Sequence, residues 1–406
     1  MTDSTNTNAC QTAARGGVRE VFGAFLKLGL TSFGGPIAHL GYFRTEFVER
    51  RRWLDDRAYS DLVALCQLLP GPASSQVGMA LGLGRAGWPG LLAAWAGFTL
   101  PSAIALILFA YGMAQYQGLA QSGWIQGLKI VAVAIVAQAV WGMAKSLCPD
   151  RPRAALAVLA ALLTLALPST AGQLAAIAMA GLAGWWWLNP AQAPARGNAQ
   201  TYPVSRAMGS AALLLFLGLL IASPLAALAT GSPVIALLDG VYRAGALVFG
   251  GGHVVLPLLQ TTVVPDGFVS NADFLAGYGA AQAVPGPLFT FAAYLGAASQ
   301  GALGGWTGSL ALLGAIFLPA LLVLVAALPF WEALRHRAGL QAALAGVSAG
   351  VVGILLSALY DPVWVGAIHD RTDFGLALAA FGLLVYGRMP PALVVLLCGL
   401  AGWGLL

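Results

Sequence analysis

The sequence predicts an all-α polytopic membrane protein, and three observations point to this fold class. Of its 406 residues, 59% are hydrophobic and 9% are charged, whereas a soluble globular protein carries about 25% charged residues. The stretches 86–128, 154–195, 207–238 and 274–331 contain no Asp, Glu, Lys or Arg, and each is longer than the roughly 20 apolar residues that one membrane helix requires. These stretches are continuous and rich in Leu and Ala, which favours helices over the short alternating strands of a membrane barrel.

The same arrangement of motifs occurs twice along the chain. The tripeptide Phe-Gly-Gly occurs at 33–35 and again at 249–251, and Pro-Gly-Pro occurs at 70–72 and again at 285–287. Because the matches keep their order and a nearly constant offset of about 216 residues, the chain is predicted to consist of two homologous halves. Further matches join Leu100-Pro101 with Leu318-Pro319 and the apolar stretch 131–137 with 347–353.

The two halves define the predicted domain organisation. A polar tail covers 1–17, the first repeat covers 18–188, a polar and Pro-rich linker covers 189–206, and the second repeat covers 207–406. The tail lacks the apolar core of a signal peptide, so we expect the first membrane segment to direct insertion. We expect about 10 to 13 membrane segments, some of them broken or re-entrant.

The charges of two equivalent loops predict that the halves have opposite orientations. The loop after the first Phe-Gly-Gly carries five arginines between positions 44 and 57, whereas the equivalent stretch 265–273 carries Asp266 and Asp273 and no Lys or Arg. Because positive loops face the cytoplasm, the two loops are expected on opposite sides of the membrane. Halves of opposite orientation form an inverted-topology repeat, as in many secondary transporters. The alternative is a parallel repeat whose second loop has lost its arginines.

The Pro-Gly-Pro motifs predict breaks in membrane helices. Proline removes a backbone donor and excludes the preceding residue from the helical region, and glycine permits the turn that follows. A helix that restarts after such a break exposes free N–H groups and the positive end of its dipole, which together attract anions. Breaks at matching positions of two halves indicate a substrate site near the middle of the membrane. The alternative is a pair of kinks that serve packing alone.

Two intramembrane cations occupy the same position in the two halves. Lys27 lies six residues before Phe33, and Arg243 lies six residues before Phe249. A cation in an apolar helix is costly unless it is paired or faces a water-filled cavity, so we expect both to compensate the charge of a bound anion. The alternative is that both side chains reach the headgroups. Asp239 shares a helix face with Arg243 and can pair with it or carry a proton.

Polar residues near the breaks are further candidates. Ser74, Ser75 and Thr290 follow the two Pro-Gly-Pro motifs and either donate hydroxyl groups to an oxyanion or cap helices. Gln67 and Gln282 precede the motifs and either hold the broken backbone or contact the substrate.

Other classes of function find little support. The four cysteines form no CxxC pair and the four histidines form no metal-binding motif, so the sequence indicates no metal, cofactor or disulfide. A membrane enzyme would need acid, base or metal-ligand clusters that are missing. The net charge of +5 is explained by cytoplasmic loops rather than by nucleic-acid binding. A passive channel remains an alternative, because pores also use helix dipoles.

Two long blocks of sequence resemble the chromate ion transporter family. FGGPIAHL, FVERRRWLDDRAYSDLVALCQLLPGPASSQVGMALG and GWPGLLAAWAGFTLPS are similar to its first domain, and FGGGHVVLPLL, GYGAAQAVPGPLFTFAAYLGA and IFLPALLVLVAALPFW are similar to its second. The stretch GFVSNADF is less acidic than is usual there. The resemblance implies a two-domain carrier of the chromate dianion in the cytoplasmic membrane, usually for efflux. Some members are linked to sulfate, an isosteric dianion, and a homodimer is compatible with the family.

The sequence therefore predicts a multi-pass carrier of a tetrahedral oxyanion in the cytoplasmic or inner membrane, with chromate efflux and chromate resistance as the expected function. The open alternatives are transport of sulfate or another oxyanion, and a passive anion channel. The glycine pairs are expected to allow close helix approach or bending. The candidate substrate-binding residues are Lys27, Gly34, Gly35, Gln67, Pro70, Gly71, Pro72, Ser74, Ser75, Arg243, Gly250, Gly251, Gln282, Pro285, Gly286, Pro287 and Thr290, and Asp239 is the candidate for proton coupling.

Overall fold

The computed structural model describes residues 16–115, 123–188, 202–249, 252–301, 303–331 and 337–405. Within these ranges every regular element is a helix. Five helices are long and apolar enough to cross a membrane, which agrees with the predicted fold class. They are Ala73–Gln115, Gly123–Leu147, Arg206–Thr230, Gly305–Phe330 and Ala338–Trp364.

The first half contains seven helices in the described ranges. Helix α4 changes direction where Ala86 and Gly87 leave the helical conformation, so we divide it into α4a (73–85) and α4b (88–115). The helices are α1 Val18–Thr31, α2 Gly35–Phe43 with a π-helical continuation Arg44–Arg50, α3 Asp56–Leu68, α4 Ala73–Gln115, α5 Gly123–Leu147, α6 Arg151–Ala166 and α7 Thr170–Trp187.

The second half repeats this order after one additional long helix, α8 (Arg206–Thr230). Short 3-10 turns, Gly252–Val254 and Leu288–Thr290, lead into the helices that begin at Val255 and Phe291, and a π-helical turn, Leu359–Trp364, continues the helix that ends at Ala358. The helices are α9 Pro233–Ala246, α10 Val255–Val263, α11 Asn271–Ala281, α12 Phe291–Ala298, α13 Gly305–Ala327, α14 Ala338–Ala358, α15 Arg371–Val385 and α16 Pro391–Leu405.

Each half begins with short helices that double back on themselves. Phe25 of α1 stacks on Phe47, with ring centroids 4.8 Å apart, so the chain returns along α1 after the first Phe-Gly-Gly. With 14 residues, α1 is about 21 Å long, which is shorter than the hydrocarbon thickness of about 30 Å. The hairpin α1–α2, with Phe-Gly-Gly at its tip, is therefore too short to cross a bilayer, as is typical of a re-entrant segment.

Three further pairs of short helices have the same form. Arg85 at the end of α4a lies over the ring of Trp53, 5.3 Å from its centre. Trp53 shortly precedes α3, so α4a returns toward the end at which α3 begins. In the second half, a Cβ at Gly240 of α9 would lie 2.3 Å from Thr262 Cγ2, and Tyr294 of α12 donates a hydrogen bond to the carbonyl of Asp273 in α11 at 2.9 Å. The hairpins α3–α4a and α11–α12 carry Pro-Gly-Pro at their tips.

Glycines let the short helices pack closely on the long ones at equivalent positions. A Cβ at Gly29 of α1 would lie 2.5 Å from the carbonyl oxygen of Gly97 in α4b, and a Cβ at Gly245 of α9 would lie 2.2 Å from that of Ile316 in α13. Small residues allow backbones to approach in membrane proteins, where apolar burial alone drives little association. The two halves thus use one packing solution twice.

The later helices are exchanged between the halves. Helix α5 of the first half packs on α15 and α16 of the second, while α14 of the second half packs on α6 and α7 of the first. Glycines again mark the contacts, since a Cβ at Gly127 would lie 2.2 Å from Cys398 O and one at Gly346 would lie 2.2 Å from Ala180 O. Because helices of each half pack around a helix of the other, neither half is an independent bundle.

Candidate functional site

The helix breaks of the two halves meet through a reciprocal pair of backbone hydrogen bonds. The N–H of Gly71, in the first Pro-Gly-Pro, donates to the carbonyl of Val248 at 2.7 Å. The N–H of Gly286, in the second, donates to the carbonyl of Ser32 at 3.0 Å. Val248 and Ser32 are equivalent residues, each directly before Phe-Gly-Gly. Each Pro-Gly-Pro therefore holds the Phe-Gly-Gly hairpin of the other half.

The starts of the short helices converge at the same place. A Cβ on Gly252, which begins the 3-10 turn before α10, would lie 3.6 Å from both Pro36 Cγ and Leu288 Cβ. Pro36 is in the first turn of α2, and Leu288 begins the 3-10 turn before α12. We call this region the central junction; its described residues are 32–36, 70–76, 248, 249, 252 and 285–290.

Backbone conformation requires glycine at both breaks. Gly71 and Gly286 have φ angles of 114° and 102°, in the region that residues with a Cβ avoid at a cost of about 1–2 kcal/mol. A Cβ would also lie 2.8 Å from Ala320 Cβ at Gly71, and 2.8 Å from Ser102 Oγ at Gly286. Gly34, at the tip of the first hairpin, has a φ of 98°. The glycines thus permit turns that other residues would strain.

The central junction has the electrostatic character of several helix N-termini brought together. Helices α2 and α4a and the turns before α10 and α12 all begin there. The first amides of a helix have no partner within that helix, and the dipole adds a partial positive charge. The N–H groups of Gly71 and Gly286 themselves are occupied by the crossed hydrogen bonds. The first-turn amides that follow each break have no partner within their own helices.

Hydroxyl groups beside the breaks differ in how fully they are used. Ser75 is buried, and its Oγ has no hydrogen-bond partner among the described residues. Ser74 Oγ lies 3.4 Å from His39 Nδ1. Thr290 donates to the carbonyl of Pro287 at 2.8 Å and so caps its own turn. Ser75 is consequently the hydroxyl of these three that is free to donate to a ligand.

Several other buried polar atoms in or next to the junction lack partners within the described part of the chain. Gln76 donates from Nε2 to the carbonyl of Pro70 at 2.8 Å, but its Oε1 is unpaired. Buried polar groups are normally hydrogen-bonded, so several unpaired polar groups in one region indicate a place for bound water or a ligand. The unpaired atoms are Ser32 Oγ, His39 Nε2, Ser75 Oγ, Gln76 Oε1, Thr99 Oγ1 and Gln282 Nε2.

Lys27 lies on the stem of the first hairpin and is paired with a carboxylate. Its Nζ is 3.2 Å from Glu46 Oε2, and its side chain is 50% exposed. Glu46 is buried and also accepts hydrogen bonds from Arg51 at 2.7 Å and Arg50 at 3.2 Å. Burial alone would raise the pKa of Glu46, but the hydrogen bonds from Arg51 and Lys27 outweigh it and hold the pKa below its ordinary value. Three cations thus share one carboxylate at this end of the hairpin.

Arg243 occupies the equivalent position on the second hairpin and is paired within its own helix. It donates from Nε to Asp239 Oδ1 at 2.9 Å and also from Nη2 to Oδ2. Asp239 is buried and accepts a further hydrogen bond from Ser223 of α8. The pair is therefore neutral and largely removed from solvent.

The structure thus sorts the predicted site residues into groups. Lys27, Arg243 and Asp239 lie on the hairpin stems, each with a partner of opposite charge. Gln67 is exposed at the end of α3, whereas Gln282 is partly buried, so the two glutamines do not share one environment. Gly250 and Gly251 lie outside the described residues. The central junction contains Gly34, Gly35, Pro70, Gly71, Pro72, Ser74, Ser75, Pro285, Gly286, Pro287 and Thr290.

Sequence reasoning missed Ser32, His39 and Gln76. Each is buried at the junction or packs against it, and none has an equivalent polar residue in the other half to mark it by repetition. A signal was present for Ser32, which directly precedes Phe-Gly-Gly. The ring of His39 packs against that of Phe98, with centroids 5.2 Å apart.

A helical membrane protein whose two similar halves meet at paired helix breaks has the architecture of a membrane transporter. The family model described as Chromate transporter matches this chain twice, over residues 19–185 and 235–403. The chain therefore belongs to the chromate transporter family, and it is a transporter rather than an enzyme. Helix α8 lies between the two matched segments, so the start of the second repeat at 207 stays a prediction.

Curated relatives cover the chain almost completely. A chromate transport protein of Pseudomonas aeruginosa is 29% identical over 405 residues, which is 95% of this chain and 91% of the relative. A chromate transport protein of Cupriavidus metallidurans is 25% identical and covers 93% and 90%. An uncharacterized transporter of Methanocaldococcus jannaschii is 25% identical and covers 94% and 93%. No solved structure matches the chain significantly.

Proposed function

We propose that the protein is a secondary active transporter that exports chromate across the cytoplasmic membrane and thereby gives chromate resistance. Two relatives that cover nearly the whole chain are named chromate transport proteins. The observation that carries the proposal is the reciprocal pair of hydrogen bonds from Gly71 to Val248 and from Gly286 to Ser32. These bonds bring the broken helices of both halves to one place, which a midplane oxyanion site needs.

The substrate would bind at the central junction rather than on the hairpin stems. A tetrahedral dianion accepts hydrogen bonds in several directions, and the first-turn amides after Pro72 and Pro287 supply donors from both halves. The hydroxyl of Ser75 adds a side-chain donor. Gln282 adds another through Nε2, which is buried and unpaired in the described structure. Lys27 would act from its stem as long-range positive charge, whereas the charge of Arg243 is neutralised by Asp239.

Alternating access would arise from movement of the hairpin tips around the crossed hydrogen bonds. If the two halves have opposite orientations, as α8 permits by adding one span between them, the tips of both reach the middle of the membrane from opposite sides. Movement that opens the hairpins of one half to their side of the membrane would then close the hairpins of the other half. Export of a dianion is favoured where the cell interior is negative, by about 2.3 kcal/mol per charge for each 100 mV.

The proposed orientation is tested by labelling single cysteines. In a background without Cys10 and Cys148, cysteines introduced at Arg52 and at Asn271 should react with an impermeant maleimide from opposite sides of the membrane. Reaction of both from the same side would disprove the inverted repeat. Cys66 and Cys398 are buried, so they should contribute little background.

Transport itself is tested in everted membrane vesicles with radiolabelled chromate and sulfate, with and without a pH gradient. We expect saturable chromate uptake, and acceleration of labelled efflux by unlabelled chromate on the opposite side, because a carrier must change conformation in each cycle. Uptake of sulfate with no uptake of chromate would show that sulfate, and not chromate, is the substrate. A large, non-saturating anion current in a planar bilayer would indicate a channel instead.

A further inference from the structure

Away from the central junction, two cavities are lined by corresponding parts of the two halves. One has a volume of about 510 Å³ and lies between α6 and α7 of the first half and α10 and α14 of the second. The other has a volume of about 480 Å³ and lies between α5 and α15. We call the first the acidic pocket, because it contains Asp361, and the second the basic pocket, because it contains Lys145 and Arg388.

The two pockets are equivalent by residue number as well as by position in the fold. One wall of the basic pocket is the end of α5, and the matching wall of the acidic pocket is the end of α14, 216 positions later. The other wall is the end of α15 in the basic pocket and the end of α6 in the acidic pocket, 220 positions earlier. Gln138, Trp141, Gly142 and Lys145 correspond to Ile354, Ser357, Ala358 and Asp361, and Leu384, Val385, Arg388 and Met389 correspond to Thr164, Leu165, Pro168 and Ser169.

The charges at equivalent positions are opposite. The basic pocket has its own cations: Lys145, whose Nζ lies 4.6 Å from the centre of the Trp141 ring, and Arg388. At the corresponding positions the acidic pocket has Asp361 and Pro168. Both pockets adjoin helix C-termini, where the dipole favours positive charge. The basic pocket satisfies this preference with the protein's own side chains, while the acidic pocket presents a carboxylate instead.

The acidic pocket also presents oxygen atoms whose accepting capacity is unused. Gln173 is only 6% exposed; its Nε2 donates to the carbonyl of Pro257 at 3.3 Å, and its Oε1 is buried without a partner in the described structure. Thr164 and Thr261 donate their hydroxyl protons to backbone carbonyls at 2.9 and 3.1 Å. Their oxygens can therefore still accept.

Cationic side chains are missing from the described lining of this pocket. Helix α6 ends at Ala166 and is followed by Pro168, which has no N–H to cap the last carbonyls. Among the described residues that line the pocket, none is Lys, Arg or His. A pocket of one carboxylate and several neutral oxygens matches a hard monovalent cation, since such ions prefer oxygen ligands.

We propose that the acidic pocket binds a small monovalent cation, with Asp361 compensating its charge and Gln173 Oε1 contributing a neutral ligand. The pocket is much larger than a bare ion, and each water occupies roughly 30 Å³, so the cation retains part of its hydration shell. The cation occupies the place that the ammonium group of Lys145 takes in the sister pocket. This proposal does not depend on which anion the protein carries.

The proposal is tested on the purified full-length protein in lipid nanodiscs, with sodium as the probe. At constant ionic strength, replacing N-methylglucamine chloride with NaCl should raise the melting temperature to a plateau, and radiolabelled sodium should bind at one site per chain. Asp361→Asn should weaken the apparent sodium affinity at least tenfold, and Gln173→Leu should weaken it severalfold. Asp266→Asn changes an exposed acid outside the pocket and should leave sodium binding unchanged.

Asp361→Lys provides a second test, in which unfolding of the variant cannot explain the expected loss of sodium binding. It introduces the side chain that the sister pocket has at this position, so the variant should melt in N-methylglucamine no lower than the wild type and should bind no sodium. Wild-type protein that responds equally to sodium, potassium and N-methylglucamine would overturn the proposal. Retention of wild-type sodium affinity by Asp361→Asn or Asp361→Lys would overturn it as well.

Discussion

The hairpins α1–α2 and α9–α10 are equivalent parts of the duplicated unit, yet their stems differ in charge. Both have Phe-Gly-Gly at the tip and a cation six residues before it. On the first stem, Lys27 is half exposed and shares the carboxylate of Glu46 with Arg50 and Arg51. On the second, Arg243 has one buried carboxylate to itself.

The same repeat position therefore has a different electrostatic role in each half. On the first stem, three cations share one carboxylate and Lys27 is half exposed, so this stem can attract an anion over several ångströms. The second stem carries a neutral, buried pair, which contributes little long-range field. The Pro-Gly-Pro tips that hold these hairpins, in contrast, are alike in the positive φ of Gly71 and Gly286 and in their crossed hydrogen bonds. We therefore expect substitutions at the tips to act symmetrically and substitutions on the stems to act asymmetrically.

The largest effect is expected at the tips of the Pro-Gly-Pro hairpins. Gly71→Ala and Gly286→Ala both place a Cβ at a positive φ and into contact with the facing helix, so each should abolish most chromate transport and lower the melting temperature. Gly314→Ala in α13, where a Cβ meets nothing within 4 Å, is the matched control. Wild-type transport by either tip variant would contradict a shared role for the two breaks.

A second substitution at each tip sharpens the comparison. The neighbour of Gly286 is the movable Oγ of Ser102, whereas the neighbour of Gly71 is Ala320 Cβ, which cannot rotate away. Ser102→Gly should restore part of the stability lost in Gly286→Ala, and Ala320→Gly should do the same for Gly71→Ala. Neither should restore it fully, because the backbone strain of about 1–2 kcal/mol remains.

Removal of Arg243 is expected to have the next largest effect. Arg243→Gln leaves the buried carboxylate of Asp239 without its cation, and breaking a buried pair costs about 3–5 kcal/mol. Adding Asp239→Asn should recover most of that loss, because the remaining groups are neutral. Thermal unfolding of the single and double variants measures this directly. Equal stability of the single variant and the wild type would show that the pair is hydrated.

The equivalent change on the first stem should be milder for stability. Lys27→Gln removes a half-exposed partner and leaves Arg50 and Arg51 on Glu46, so the loss of stability should be below about 1 kcal/mol. The apparent affinity for chromate should fall more at low salt than at high salt, because exposed charges are screened. Affinity that falls equally at all salt concentrations would instead place Lys27 in direct contact with the substrate.

The smallest effect concerns the pH dependence of the first stem. The pKa of Glu46 is lowered, so its ion pairs stabilise the fold above the ordinary carboxyl pKa of about 4.3. This contribution is lost as the pH falls through the lowered pKa. The wild type should therefore melt higher than Glu46→Gln at pH 7, and the difference should shrink below about pH 4.3. Glu49→Gln alters an exposed pair with Arg44 and serves as the control. A difference that is independent of pH would show that Glu46 is not ionised in the fold.

Much of this architecture is local and could be predicted from the sequence. Long uncharged stretches require membrane helices because a bilayer offers no partner for open backbone groups. The repeated Phe-Gly-Gly and Pro-Gly-Pro motifs predict two homologous halves and two helix breaks, because proline and glycine act on the backbone where they stand. Duplication is itself visible in one sequence, and the family model that matches the chain twice confirms it.

Only the tertiary structure decided which distant groups meet. Nothing local shows that Gly71 donates to Val248 and Gly286 to Ser32, or that α5 and α14 each pack in the opposite half. The pairing of Lys27 with Glu46, rather than with an anion at the breaks, depends on a return of the chain that brings residues 19 positions apart into contact. The opposite charges of the sister pockets emerge only when helices from both halves form one wall each. These features rest on contacts between distant segments, such as that between Gly286 and Ser32. Such contacts depend on packing that the local chemistry of a single sequence does not specify.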